Sequence, residues 1–261
     1  MTQLSELHDA SDGAHPPDID WRLSAAFLDF DGTLAPLEQH PDDVRLPDRE
    51  RRLVNRLSDL TGGAVAILTG RDLSNIRGFF KDMPVVLSGS HGAEIEGHDS
   101  PLLRPDAQAE LTRCHDAVRG YAEKYGLLVE KKAAAVAVHY REKPDMQQAV
   151  TAFVSDLAET SSALKPLHGN MVSELTLRDV DKGTALLRLM EHGAFQGRIP
   201  VSVGDDTTDE DTFRAARSLG GVGLRIATRT LAETAAEHVF ATRTDFVDWL
   251  EHSLEQETEA G

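Results

Sequence analysis

Along most of the chain, short apolar runs alternate with stretches whose apolar positions recur at helical spacing. Ala25-Ala26-Phe27-Leu28 runs into an Asp-rich polar loop, and a charged helical stretch follows over 48–60. Ala64-Val65-Ala66-Ile67-Leu68 ends in Thr69-Gly70-Arg71, with a helix expected over 72–80. Val85-Val86-Leu87 ends in Ser88-Gly89-Ser90. Towards the C-terminus, Pro200-Val201-Ser202-Val203 ends in Gly204-Asp205-Asp206. A helix is then expected over 209–219, and 221–226 and 238–241 read as further strands. Short buried strands separated by helices predict an α/β fold with a parallel sheet. The polar clusters sit just after strand ends, where open α/β sheets bind ligands.

The middle third has a different pattern. A helix is expected over 106–125, strands over 127–130 and 134–140, and a second helix over 144–159. Strands over 164–167 and 171–177 then flank His168-Gly169-Asn170, a hairpin signal. Helix, hairpin, helix, hairpin is an α+β unit, set inside the parallel one. The expected organisation is a loose polar tail over 1–20, a discontinuous core over 21–98 and 180–254, an inserted domain over 99–179, and a frayed acidic tail over 255–261.

The 261 residues suffice for one large domain or two small ones. Apolar residues make up 40% and charged residues 27%, an ordinary balance for a globular chain. Lys and Arg number 27 against 44 Asp and Glu, a formal net charge of −17. That excludes a general nucleic-acid binder and disfavours an anionic membrane surface. A small anionic substrate then requires local cations at its site. The single cysteine, Cys114, leaves no intrachain disulfide and no Cys-based zinc site. The polar, acidic N-terminus lacks the apolar stretch of a secretory signal, and no window approaches a membrane span. A cytoplasmic protein is expected.

The strongest chemical signal is Phe27-Leu28-Asp29-Phe30-Asp31-Gly32-Thr33-Leu34. Asp29 ends an apolar run, so burial there demands a compensating partner, and a metal cation is a good one. Asp31, two residues on, points to the same side of an extended segment, and Gly32 allows a sharp turn. A strand ending in a polar turn is the plain alternative. A second acidic cluster, Gly204-Asp205-Asp206-Thr207-Thr208-Asp209-Glu210-Asp211, also follows an apolar run. Asp209, Glu210 and Asp211 suit a helix N-terminus, whereas Asp205 and Asp206 precede the helix and need another reason. Oxygen-only ligands from two strand ends suit Mg²⁺. Thr69-Gly70-Arg71, between strand and helix, offers a hydroxyl and free N–H groups to an anion. Lys182, in Asp181-Lys182-Gly183, is either a surface lysine or a phosphate-neutralising one.

In this order the four pieces resemble the haloacid-dehalogenase-type phosphatases, whose Asp-x-Asp-x-Thr, Ser/Thr, Lys and acidic pair correspond to Asp29, Asp31 and Thr33; Thr69; Lys182; and Asp205 with Asp206. The inserted unit falls where that family places its larger α/β cap, which implies a Rossmann-like core. Leu-Asp-Phe-Asp-Gly-Thr-Leu-Ala-Pro-Leu (28–37), Thr-Gly-Arg-Asp-Leu (69–73), Gly-Ser-His-Gly-Ala-Glu (89–94), Val-His-Tyr-Arg (138–141), Asp-Lys-Gly-Thr-Ala-Leu (181–186) and Gly-Asp-Asp-Thr-Thr-Asp-Glu-Asp-Thr-Phe (204–213) are similar to the trehalose-6-phosphate phosphatases over about residues 24–250. Two departures are Ser90, where that family often has Glu, and the stretch 174–181, which lacks a Pro-Gly before Asp181-Lys182-Gly183.

The resemblance implies Asp29 as nucleophile, forming an aspartyl-phosphate, with Asp31 as general acid and base. It implies Mg²⁺ on Asp29, Asp31 (through its backbone carbonyl) and Asp205, with Asp206 and Asp209 orienting ligands around it. Thr69 and Lys182 would hold the phosphoryl oxygens. It places Arg71, His91, Gly92, Glu130, Lys132, His139, Arg141 and Glu174 on the substrate, the last five being cap residues that read the sugar. A monomer acting on trehalose 6-phosphate is expected, with trehalose-6-phosphate synthase as functional partner. Three other readings remain at this point. The same chemistry could serve sucrose phosphate or mannosyl-phosphoglycerate. The chain could be a non-catalytic partner of the synthase, against which the complete catalytic set argues. A glycosidase with paired carboxylates leaves Lys182 and Thr69 unexplained.

Overall fold

A computed structural model describes residues 16–38, 43–97, 105–132, 134–169, 171–227 and 233–259. The tail expected over 1–20 lies outside them as far as residue 15, and the boundary expected at 98–99 falls at an undescribed stretch. In chain order the first part supplies β1 (Ser24–Leu28), α1 (Asp48–Leu60), β2 (Val65–Leu68), α2 (Leu73–Ile76), β3 (Val86–Gly89) and β4 (Glu94–Ile95). The insert supplies α3 (Pro105–Tyr125), β5 (Leu128–Lys131), β6 (Ala135–His139), α4 (Gln147–Glu159), β7 (Leu164–Gly169) and β8 (Val172–Leu177). The last part supplies α5 (Lys182–Met190), β9 (Ile199–Gly204), α6 (Glu210–Ser218), β10 (Val222–Ile226), β11 (His238–Phe240) and α7 (Arg243–Glu259).

Seven strands form one sheet in the order β11-β10-β9-β1-β2-β3-β4. Every pairing is parallel except β3 with β4. All five residues of β1 are buried, as a strand covered on both faces requires. Ala26 and Leu28 pack to the side of Trp21, Leu57 and Phe246. Ala25 and Phe27 pack to the other side, against Leu186, Phe195 and Ala216. The strand order reverses between β9 and β1, which opens a crevice beyond their C-terminal ends.

The insert is a separate antiparallel sheet, β5-β6-β8-β7, with its own core on α3 and α4. Alternation divides its faces. Val136, Val138, Leu175 and Leu164 pack on the helices. The opposite face carries the rows Glu130, Ala137, Glu174, Leu167 and Ala135, Thr176, Lys165.

The structure departs from the sequence reading in three places. The helix expected over 72–80 is one turn only, Leu73–Ile76. The segment after it passes through turns, with Asp82 at φ 64°, so that Phe79 packs tilted and Phe80 edge-on against Phe30, at 4.8 and 5.7 Å between ring centroids. The two-residue β4 is too short to leave an alternation signal. Residues 255–259, expected to fray, continue α7, and Arg22 Nη2 donates to the Glu257 carbonyl at 3.0 Å. No helix among the described residues is long and apolar enough to cross a membrane.

Behind the crevice, Arg225 on β10 donates to Glu210 at 3.0 Å with both side chains buried. Glu210 also accepts from Thr234 Oγ1 and Ala235 N–H, fastening the segment before β11 to α6. Removing one member of a buried pair leaves an uncompensated charge. Arg225→Met should therefore lower unfolding free energy by about 3 kcal/mol in urea melts, whereas a surface Arg119→Met should change it by less than about 0.5 kcal/mol.

Candidate active site

The sheet register gathers the acidic motifs. Leu28 lies opposite Val203, and the Asp29 N–H donates to the Val203 carbonyl at 2.9 Å. Asp29, the first residue past β1, therefore stands beside the Gly204-Asp205 step. On the other flank Leu28 lies opposite Ile67, which brings Thr69 to the same rim. Lys182 opens α5 and reaches in from that side. Asp29, Asp31, Thr69, Lys182, Asp205 and Asp206 line one cavity of about 140 Å³.

At its floor, Lys182 Nζ donates to Asp29 Oδ1 at 2.6 Å and to Asp209 Oδ1 at 2.7 Å. The other Asp209 oxygen accepts the N–H groups of Asp205 and Asp206, each at 3.0 Å. Carboxylate oxygens of Asp29, Asp205 and Asp209 lie within 4.8 Å of one another, and all three residues are buried. Burial lifts the Asp29 carboxyl well above its usual range; Lys182 opposes this, while Asp209 and Asp205 add to it. Burial also works against the Lys182 ammonium, but Asp29 and Asp209 outweigh it and hold the group above its ordinary value. Three buried carboxylates thus lie together, and one ammonium donates to two of them. An all-oxygen donor set with surplus negative charge fits a hard divalent cation. Glycine makes the crowding feasible. A Cβ on Gly32, which has φ +88°, would sit 2.3 Å from Asp205 Oδ2, and one on Gly204 would sit 2.2 Å from Asp209 Cγ.

Other expected residues fall in distinct places. Asp31 forms a bidentate pair with Arg71, Nε to Oδ2 and Nη2 to Oδ1, both at 2.7 Å. Arg71 also lies over the Phe30 and Phe79 rings at 5.3 and 5.4 Å. Asp206 is exposed, and its carboxylate caps the turn over 207–209 by accepting from the Thr207 N–H at 2.7 Å. Asp209, not Asp206, is thus the residue that joins the buried acids. Ser90 turns its hydroxyl to Glu94 at 2.7 Å, and Gly92 packs against the Asp181 backbone. Asp181 caps α5 through the Thr184 N–H at 2.7 Å, so no Pro-Gly is needed to start that helix.

On the insert, Lys132 Nζ meets Glu174 at 2.6 Å and His139 Nε2 meets Glu130 at 2.9 Å. Lys132 and Glu174 face the core across a second cavity of about 220 Å³ that also touches His91 and Lys182. Glu130 and Lys132 line a wider polar cleft beside Arg71. Arg141 is not brought to these cavities: β6 ends at His139, and Arg141 sits exposed in the following turn. Lys165, Leu167 and Thr176 also line the 220 Å³ cavity. The sequence reading missed them, although period-two alternation from Glu174 across the hairpin places them on the same face.

A doubly wound sheet with a buried acid cluster at its switch point and an antiparallel insert defines the haloacid-dehalogenase class of folds. A family model described as trehalose-phosphatase matches residues 27–244. The trehalose-6-phosphate phosphatase of Escherichia coli K12 is 33% identical over 232 residues, covering 87% of this chain and 85% of that protein. A probable trehalose-phosphate phosphatase of Sinorhizobium fredii is 35% identical, covering 87% and 88%. The solved C-terminal domain of C. albicans trehalose-6-phosphate phosphatase superposes with a TM-score of 0.69 at 20% identity, over 94% of this chain and 99% of that one. The chain belongs to the trehalose-phosphatase family.

His91 supplies a pH-dependent observable. It takes a left-handed backbone, φ 56°, and its N–H donates to the Thr69 carbonyl at 2.9 Å, which aims the ring into the cleft. Loss of water around the ring, then the Lys182 charge, lowers its pKa from 6.5 to about 4. The unfolded chain binds this proton first as pH falls. The contribution to stability is therefore whole above 6.5 and is lost as pH drops towards 4. His91 is exposed as a residue, and solvent screening keeps that contribution small. Imidazole NMR titration should give His91 a midpoint near 4.

Proposed function

We propose that the chain is a Mg²⁺-dependent phosphatase that hydrolyses trehalose 6-phosphate to trehalose and phosphate. The observation that carries this is Lys182 held between Asp29 and Asp209 with Asp205 alongside, all buried under the polar face of the insert. Asp29, Asp205 and Asp209 are the carboxylates that would hold Mg²⁺; Asp31 would contribute its backbone carbonyl. The bound ion supplies positive charge that keeps Asp29 ionised and offsets the charge of the phosphoryl oxygens.

The chain's own groups then divide the work. Asp29 attacks phosphorus, and the P–O bond to the sugar breaks as the aspartyl-phosphate forms. Asp31 gives its proton to the departing sugar oxygen. It next takes a proton from water, whose oxygen attacks phosphorus and frees Asp29. Thr69 and Lys182 hold the non-bridging oxygens throughout. Both Asp31 oxygens are engaged by Arg71, so Arg71 must release at least one before a proton moves. The insert acts as a cap: Glu130, Lys132, His139 and Glu174 present acceptors and donors to the sugar hydroxyls, with His91 opposite. Arg141 joins them only if its turn moves inward. Asp206 caps the loop that carries Asp205. A cytoplasmic monomer consuming the product of trehalose-6-phosphate synthase completes the reading.

Asp29→Asn should remove phosphate release from trehalose 6-phosphate, and a chelator should abolish wild-type turnover until Mg²⁺ is restored. Turnover persisting in either case defeats the mechanism, and sucrose phosphate outperforming trehalose 6-phosphate in a substrate panel defeats the specificity. Gly32→Ala forces its new methyl into Asp205, so kcat should fall about 100-fold although Asp29 and Lys182 are intact.

A further inference from the structure

We propose that Lys165, with Thr176 beside it, binds hydroxyl groups on the sugar ring remote from the phosphate and so sets the preference for a disaccharide phosphate. The inference rests on the substrate reading given above. It starts from the charges around the 220 Å³ cavity between the insert and the core. Each lining acid already has a partner. Glu174 accepts from Lys132 at 2.6 Å. Asp211 accepts from Arg214 at 2.7 Å. Asp181 accepts from the Thr184 N–H and hydroxyl at 2.7 and 3.0 Å. Of the lining ammonium groups, Lys132 is used by Glu174, and Lys182 by Asp29 and Asp209.

Lys165 is the exception. It is half-buried, and among the described residues its ammonium has no hydrogen-bond or ion-pair partner. Its place is fixed by register. Lys165 on β7 lies directly opposite Thr176 on β8, one row along from Leu167 and Glu174. All four side chains leave the face turned to the core. Lys165 therefore stands on the insert wall, while Lys182 and His91 belong to the core wall of the same cavity.

An ammonium offers three donors and no acceptor, whereas the Thr176 hydroxyl gives its hydrogen to the Ala134 carbonyl at 3.3 Å and keeps its acceptor capacity. Sugar hydroxyls accept from the first and donate to the second. Leu167, half exposed, together with Ala135 and Val180, gives the apolar surface on which C–H faces of a ring pack. Lys182 holds the phosphoryl end, so the partnerless ammonium on the opposite wall meets the ring that carries no phosphate. A phosphate ester without a second ring has nothing to place there.

The test compares Lys165→Met, which keeps the stem and removes the donors, with the wild type on two substrates. Trehalose 6-phosphate has the remote ring; p-nitrophenyl phosphate does not. Loss of a charge-assisted hydrogen bond should lower kcat/KM for trehalose 6-phosphate about tenfold or more, chiefly through KM. Inhibition by trehalose of p-nitrophenyl phosphate hydrolysis should weaken by a similar factor, while p-nitrophenyl phosphate hydrolysis itself and the melting temperature stay as in the wild type. Thr176→Val should shift the same two readouts in the same direction, and it serves as the second probe should Lys165→Met fold poorly. Trehalose 6-phosphate kinetics within about twofold of the wild type, or an equal loss on both substrates, overturns the role of Lys165. A wild type that cleaves p-nitrophenyl phosphate but not trehalose 6-phosphate overturns the substrate reading, and this inference with it.

Discussion

The rim of the large sheet is organised around a single ammonium wedged between two buried carboxylates. Burying an ion costs several kcal/mol unless its charge and hydrogen-bonding capacity are met. Lys182 meets part of that cost for Asp29 and Asp209, and the backbone of residues 205 and 206 meets another part for Asp209. Much of the local sequence follows. Two glycines clear space for Asp205 and Asp209. Asp206 ties down the turn that aims Asp209. Asp181 starts α5 so that Lys182 enters at the helix's first residue. The surplus negative charge left after this arrangement suits the cluster to a cation.

The two sheets divide labour according to how they bury their faces. The parallel sheet is covered on both sides, so its chemistry is confined to strand ends and loops. The insert covers one face with α3 and α4 and leaves the other polar and turned to the core. An antiparallel sheet with one open face offers a grid of side chains spaced for many hydroxyls. That contrast makes the first unit suited to a small charged group and the second to a broad neutral one.

Much of this was legible in the sequence because burial leaves periodic traces. The apolar runs marked β1, β2 and β9, and the helix–hairpin alternation marked the insert. The acids at 29 and 205 stood out because they end apolar runs. What was not legible depends on neighbours distant in the chain. Asp206 and Asp209 look alike in sequence, and only the turn over 207–209 decides that one faces solvent and the other Lys182. The helix expected over 72–80 is cut short because Phe79 and Phe80 are drawn onto Phe30. Helix α7 has no counterpart in the sequence reading, which has only an acidic tail over 255–261; its last turns are acidic and lean on Arg22. Arg141 shares a parity with His139 in sequence, yet the strand stops before reaching it.

The Lys182 to Asp29 contact spans 153 positions, and β1, the middle of its sheet, waits for β9 to cover one of its edges. Emerging from the ribosome, the chain holds β1 with that edge unpaired until β9 follows, and Asp29 without its ammonium partner until Lys182 follows. Such long loops must close before their contacts reward them, and an open apolar strand edge is a template for wrong pairing. The insert, made of local hairpins, is free to assemble first. Synthesis order therefore lets the insert close before the large sheet can, and an unpaired β1 edge favours self-association in the interval before β9 arrives.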